Sequence, residues 1–148
     1  MKMDQVRRLA IDFGTTNSVL AGWDDEAQAS TVLPLSAISS LSSDQAVPLI
    51  PSLLYVHDAA NQHFSIGQAV RQAGLDQVTG NRLFRNFKRG IVTSLKVAPR
   101  QIDGTAFDDQ DAGRAFLQQV LRALPCPLSN LEELVLTAPV AAFEGYLT

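Results

Sequence analysis

The sequence is short of the residues that define several classes of protein. It contains one cysteine, Cys126, which excludes a disulfide within the chain. No apolar run approaches the length of about 18 residues that a membrane-spanning helix needs. The net charge is −3, and the first eight residues lack the apolar segment of a signal peptide. We therefore expect a cytoplasmic protein with no nucleic-acid partner and no membrane partner.

What is present is an ordinary globular composition, with 148 residues of which 46% are hydrophobic. The pattern predicts strands and helices in one α/β chain. Strands are expected at about 6–12, 18–23 and 31–35, and a further strand at about 132–137. The first two are mainly apolar, which is typical of strands covered on both faces.

One helix is clear from the sequence, at about 111–124. Apolar residues recur there on one face, and Pro125 ends the helix. The acidic residues just before it suit an N-terminal cap and the positive end of the helix dipole: Asp108, Asp109 and Asp111.

Both common nucleotide motifs, G-x-x-x-x-G-K-[ST] and G-x-G-x-x-G, are absent. Residues 11–18, Ile-Asp-Phe-Gly-Thr-Thr-Asn-Ser, nevertheless predict a strand, a polar turn and a second strand. Gly14 can adopt positive φ and lets a ligand approach the backbone. Backbone N–H groups of such a turn can converge on an anion, and Thr15 and Thr16 add hydroxyl donors. An ordinary polar turn has the same composition, so chemistry alone leaves both interpretations open.

Asp12 would repel a bare phosphate. Its position makes sense if a hydrated Mg²⁺ lies between the carboxylate and the phosphate, because Mg²⁺ is usually held by one or two carboxylates, water and substrate phosphates. A phosphate site here therefore predicts Mg²⁺ as well.

Residues 11–18 closely resemble the first phosphate motif of the 70-kDa heat-shock chaperones, the DnaK-type branch of the actin-like ATPases. The resemblance implies an α/β, ribonuclease-H-like ATPase lobe that has a mixed sheet with flanking helices, together with a small α+β upper subdomain. In that sheet the first three strands are expected to be antiparallel, and the strand at 132–137 is expected to lie parallel to the first. The resemblance also implies that ATP or ADP binds with its phosphates on Gly14, Thr15, Thr16 and Asn17, and that Asp12 holds Mg²⁺ through water.

The segment 81–100 carries six basic residues and no acid: Arg82, Arg85, Lys88, Arg89, Lys96 and Arg100. Such a segment either is a solvated face or faces a negative ligand. Residues 83–90 resemble the family's segment with an essential lysine followed by arginine. The resemblance implies that Lys88 is catalytic and stabilises the charge that develops during phosphoryl transfer.

Two further stretches are similar to the family. Pro51-Ser52 fits a proline-serine pair that opens a strand, and residues 134–143 resemble a strand that ends in a Pro-Ala-x-Phe element. There Pro139 matches a proline implicated in signalling between the nucleotide site and a partner domain. A rigid strand-to-helix corner is an equal alternative for Pro139.

The resemblance divides the chain into a lower inner subdomain, 1–50 and 109–148, and a shortened upper outer subdomain, 51–108. The chain stops inside a helix predicted from Val140, and the family's second phosphate loop is absent. We therefore expect a fragment of the nucleotide-binding domain, which by itself binds nucleotide weakly at best and hydrolyses ATP negligibly.

The whole parent protein, on this resemblance, couples ATP hydrolysis to the binding of unfolded polypeptides in the stress response. Its expected partners are a J-domain co-chaperone and a nucleotide exchange factor. Two alternatives stay open. One is another actin-like ATPase, such as a filament protein, a reactivating factor or a kinase. The other is a non-catalytic interaction module.

Overall fold

The computed structural model describes residues 6–40 and 47–137 of the chain. Pro139 and the helix predicted from Val140 lie outside these residues. The strands are β1 (Arg8–Asp12), β2 (Asn17–Asp24), β3 (Ala29–Val32), β4 (Ile50–Pro51), β5 (Leu53–Asp58), β6 (His63–Ile66), β7 (Leu83–Arg85), β8 (Arg100–Ile102), β9 (Thr105–Phe107) and β10 (Glu133–Leu136). The α-helices are α1 (Gln68–Gln72), α2 (Phe87–Val92) and α3 (Asp109–Arg122), and Leu128–Asn130 form a short 3₁₀ turn.

The first sheet has the strand order β10-β1-β2-β3, and β4 pairs with β2. β1 is antiparallel to β2 and parallel to β10, with Ile11 opposite Leu136. These pairings confirm the antiparallel start, the late parallel strand and the α/β class. β3 begins at Ala29, earlier than expected, because the Asp24 carboxylate accepts the N–H groups of Glu26 and Ala27 and closes a tight turn.

The two central strands of this sheet, β1 and β2, are buried on one face and partly exposed on the other. Leu9, Ile11 and Leu20 belong to the core, whereas Ala10 and Trp23 are only partly buried. This alternation differs from the expectation of strands covered on both faces. The small side chains and the tryptophan on the second face gave the strands their continuous apolar appearance.

A second sheet, of order β6-β5-β7, and a separate hairpin of β8 and β9 complete the β-structure of the described residues. β4 and β5 are separated by Ser52 alone, so the chain passes directly from the first sheet to the second. The expected boundary between 50 and 51 lies within β4. The division into lower and upper subdomains stays a prediction, because buried residues of both sheets form one hydrophobic cluster.

Helix α3 confirms the clearest sequence prediction. The Asp108 carboxylate accepts the backbone N–H of Asp111 at 2.9 Å, and the Asp111 carboxylate accepts the N–H of Asp108 at 3.1 Å. This reciprocal capping box satisfies two backbone donors at the helix start. The helix buries Ala112, Phe116 and Val120 on one face.

Candidate functional site

The turn between β1 and β2 is the predicted phosphate loop, with Asp12 at the end of one strand and Asn17 at the start of the next. Gly14 does not adopt the positive φ that the sequence suggested. Its backbone instead approaches the chain so closely that an added Cβ would lie 1.9 Å from the Asn17 carbonyl oxygen. Glycine is therefore required for space, not for a left-handed conformation.

Ser52 forms hydrogen bonds that hold this loop. Its hydroxyl donates to the Gly14 carbonyl at 2.8 Å, and its backbone N–H donates to the Thr16 carbonyl at 2.8 Å. The Ser18 hydroxyl lies 3.1 Å from the Ser52 hydroxyl, and both side chains are almost completely buried. Three of the loop's polar groups are thus held by one residue that leads into the second sheet.

A cluster of three buried rings, Phe13, Phe87 and Phe116, forms the floor of the site. The ring centroids are 5.6–6.0 Å apart. Phe13 is part of the loop and Phe87 begins α2, so this site cluster joins the loop to the helix. The residues next to these rings in sequence are Asp12, which is exposed, and Lys88, which is partly buried.

Close packing of α2 on α3 holds this arrangement. An added Cβ at Gly113 of α3 would lie 2.5 Å from the Ile91 side chain of α2. At Gly90 it would lie 1.6 Å from the Asp109 carboxylate. Both glycines let the two helices approach, and this approach positions the first turn of α2 beside the loop.

Lys88, on that first turn, reaches the phosphate loop. Its ammonium donates a hydrogen bond to the Phe13 carbonyl and lies 5.4 Å from the centre of the Phe13 ring. Burial lowers the pKa of Lys88, and the negative charge of Asp12 acts in the opposite direction. The structure therefore brings together the three elements that the sequence singled out: Asp12, the loop that follows it and Lys88.

The other basic residues of the segment 81–100 have mostly structural contacts. Arg82 pairs with Asp103 and Arg85 donates to the Asp76 carbonyl, while Lys96 donates to the last carbonyls of α2. Arg100 donates to two backbone carbonyls and its guanidinium lies 3.9 Å from the centre of the Phe84 ring. These four basic residues therefore contact nearby groups of the protein itself. Lys88 differs from them because it lies at the phosphate loop.

Asp12 has a partner that sequence reasoning missed. The hydroxyl of Thr137, one residue after β10, donates to Asp12 Oδ1 at 2.7 Å. The Thr137 backbone N–H also donates to the Ile11 carbonyl at 3.0 Å. Parallel strands place their carboxyl ends at one edge of the sheet, which is the signal that could have predicted this contact.

The residues at the loop fit a hydrated Mg²⁺ that is bound together with phosphate. No group of three or more potential metal-ligating side chains occurs within residues 6–40 and 47–137. One carboxylate suffices for Mg²⁺ when water and phosphate oxygens complete the shell. The exposed carboxylate of Asp12, beside a turn with accessible Thr16, meets that requirement.

The comparison with known proteins adds no family: no model of a protein family matches the chain, and no curated protein matches it. The resemblance of residues 11–18 and 83–90 to the DnaK-type chaperones therefore stays a prediction. A membrane span is not found either, because the helices in the described part of the chain are too short or too polar to cross a bilayer.

Proposed function

We propose that this chain is the phosphate-binding lobe of an ATP-binding chaperone of the DnaK type, with a ribonuclease-H-like fold. The observation that supports the proposal most is the contact of Lys88 with the Phe13 carbonyl, across 75 positions of sequence. A turn that merely connects two strands has no need of a lysine from a distant helix. A turn that binds phosphate gains from one, because a lysine is a mobile positive charge for the phosphate oxygens.

Each residue of the loop has a distinct part in this proposal. Gly14, Thr15, Thr16 and Asn17 line the bound phosphates, and the threonine hydroxyls donate to the phosphate oxygens. Asp12 accepts hydrogen bonds from the water of a hydrated Mg²⁺, which when bound neutralises charge on the phosphates. The lysine ammonium has three N–H donors, so the bond from Lys88 to Phe13 is compatible with a second bond to phosphate.

The arrangement supplies one wall of a nucleotide site. Asp12 and Thr16 are exposed, and the loop joins the ends of the two central strands of the first sheet. Phosphoryl transfer needs groups positioned on both sides of the reacting phosphate. We therefore propose that the chain binds nucleotide through this wall, and that its own turnover of ATP is negligible.

The test is a titration of the purified chain with ADP and ATP in the presence of Mg²⁺, followed by NMR so that weak binding is detected. Lys88→Met should weaken binding about 10-fold or more, because a hydrogen bond to a charged group contributes about 1.5–3 kcal/mol. Lys96→Met is the matched control, because it removes the same charge from the same basic segment. It should leave the affinity unchanged.

Three results would count against the proposal in different ways. Absence of binding to the wild-type chain would favour the non-catalytic interaction module. Equal losses in Lys88→Met and Lys96→Met would indicate a general basic face. If nucleotide binds but unfolded peptide never alters ATP turnover by the natural gene product, a filament protein or a kinase becomes the better assignment.

A further inference from the structure

Thr137 and Asp12 are 125 positions apart in the sequence but meet at the carboxyl ends of two parallel strands. β1 ends at Asp12, and β10 ends one residue before Thr137. The parallel ladder continues past β10, since the Thr137 N–H donates to the Ile11 carbonyl at 3.0 Å. The register of the sheet therefore places the Thr137 hydroxyl beside the Asp12 carboxylate.

The bond between them is short and charge-assisted. The Thr137 hydroxyl lies 2.7 Å from Asp12 Oδ1 and has to donate, because an ionised carboxylate only accepts. A bond to one oxygen restricts the rotation of a carboxylate about its Cβ–Cγ bond. It therefore favours one direction of the other oxygen, Oδ2, over the alternatives.

We propose that Thr137 is a positioning residue, which orients the Asp12 carboxylate toward the hydrated Mg²⁺ of a bound nucleotide. This inference rests on the function proposed above and adds a residue to the same site. Mg²⁺ demands near-ideal octahedral geometry, so a carboxylate that rotates freely would meet its water ligands less often. Hydrogen-bond partners of this kind typically change metal affinity about 10- to 100-fold.

A purely structural role of the Thr137 hydroxyl explains its contact with Asp12 less well. Both Asp12 and Thr137 are exposed, so water could satisfy either group if the other were absent. The backbone of Thr137 already holds the strand end through its bond to Ile11. The side-chain bond therefore contributes more to the orientation of Asp12 than to the fold.

The experiment compares Thr137→Val, which keeps the β-branched shape and removes the hydroxyl, with Thr137→Ser, which keeps the hydroxyl. Thr31→Val in β3 is the matched control, since Thr31 is also exposed and lies in the same sheet, away from the loop. ADP affinity is measured by NMR titration of the full chain with Mg²⁺ and again with EDTA. The ratio of the two dissociation constants gives the Mg²⁺ enhancement.

Thr137→Val should lower the Mg²⁺ enhancement about 10-fold and leave the affinity in EDTA unchanged. Thr137→Ser should restore most of the enhancement, and Thr31→Val should equal the wild type. Mn²⁺ binding in the presence of ADP, followed by electron paramagnetic resonance, should weaken in the same order. Thermal unfolding of the four proteins should be similar, which shows that the effect is not a loss of folded protein.

The proposal is overturned if Thr137→Val keeps the full Mg²⁺ enhancement of ADP binding. It is equally overturned if this variant weakens ADP binding by the same factor with and without Mg²⁺. It is also overturned if the serine variant behaves like the valine variant. In each of these cases the wild type still binds Mg²⁺–ADP, so the proposed function survives. If the wild type shows no Mg²⁺-dependent binding, the proposed function fails together with this inference, and the two failures are distinguishable.

Discussion

This protein has two clusters of packed phenylalanine rings, and only one of them lies beside the candidate site. The site cluster, Phe13, Phe87 and Phe116, lies under the phosphate loop. A second cluster, Phe64, Phe84 and Phe107, joins the second sheet to the β8–β9 hairpin, with ring centroids 5.3 and 5.8 Å apart. The Arg100 guanidinium lies over Phe84 and adds a cation–π contact.

The difference between the clusters lies in their sequence neighbours. Phe13 is flanked by Asp12 and Gly14, and Phe87 is followed by Lys88. Each buried ring of this pair therefore fixes the position of a site residue beside it. Phe84 and Phe107 have no such neighbours among the predicted site residues. An ordinary core contact therefore becomes part of a site through the residues adjacent to it.

The largest effect should come from removing one ring in each cluster. Phe13→Ala and Phe84→Ala should each lower the free energy of unfolding by about 3–5 kcal/mol, because each leaves a cavity in a buried site. Thermal or urea unfolding measures this loss. Similar losses would show that the two clusters contribute equally to stability.

The milder pair Phe13→Leu and Phe84→Leu separates binding from stability, since both variants should fold. Phe13→Leu should weaken ADP binding several-fold, whereas Phe84→Leu should leave the affinity for ADP unchanged. Equal affinities in the two variants would break the comparison, because the site cluster would then have no special relation to the loop.

A smaller effect is expected for Ser52→Ala, which leaves the Gly14 carbonyl and the Ser18 hydroxyl without this partner. An unsatisfied buried group costs about 1–3 kcal/mol, and the loop should also bind nucleotide less tightly. The exposed Ser36 offers a matched control, and Ser36→Ala should change stability by no more than about 0.5 kcal/mol. Chemical denaturation and an ADP titration on both variants provide the measurements. A Ser52→Ala variant with wild-type stability and wild-type affinity for ADP would show that the hydrogen bonds of the Ser52 hydroxyl are not needed.

The smallest effect concerns pH and the second sheet. His57 lies 2.8 Å from the Ser65 hydroxyl and stacks on His63 with ring centroids 4.6 Å apart. Burial lowers the pKa of His57 from 6.5, and the nearby charges of His63 and Arg82 lower it further. The unfolded chain then binds the proton more readily than the folded chain does. Stability should therefore be full above pH 6.5 and decline as the pH falls toward the lower folded pKa.

The measurement for this prediction is the unfolding midpoint at about pH 7.5 and about pH 5.5. His57→Gln should reduce the difference between the two values, because glutamine does not titrate in this range. A wild-type midpoint that rises on acidification would contradict the assigned direction.

Several parts of the fold could be predicted because their causes are local. The capping box of α3 needs only Asp108 and Asp111, and the pairing of β1 with β2 follows from two apolar runs around a short polar turn. β7 and α2 were not predicted. The spacing of Phe87 and Ile91 was a signal for α2, but six residues are too few for a clear helical pattern.

The site was predictable in composition and not in arrangement. A polar turn with Asp12, Gly14 and two threonines follows from the sequence alone, because strand and turn preferences act over a few residues. The contacts of Lys88 and Thr137 with that turn, from 75 and 125 positions away, arise in the tertiary structure. Packing of α2 on α3 and the parallel register of β10 depend on contacts between distant segments, which no local pattern encodes.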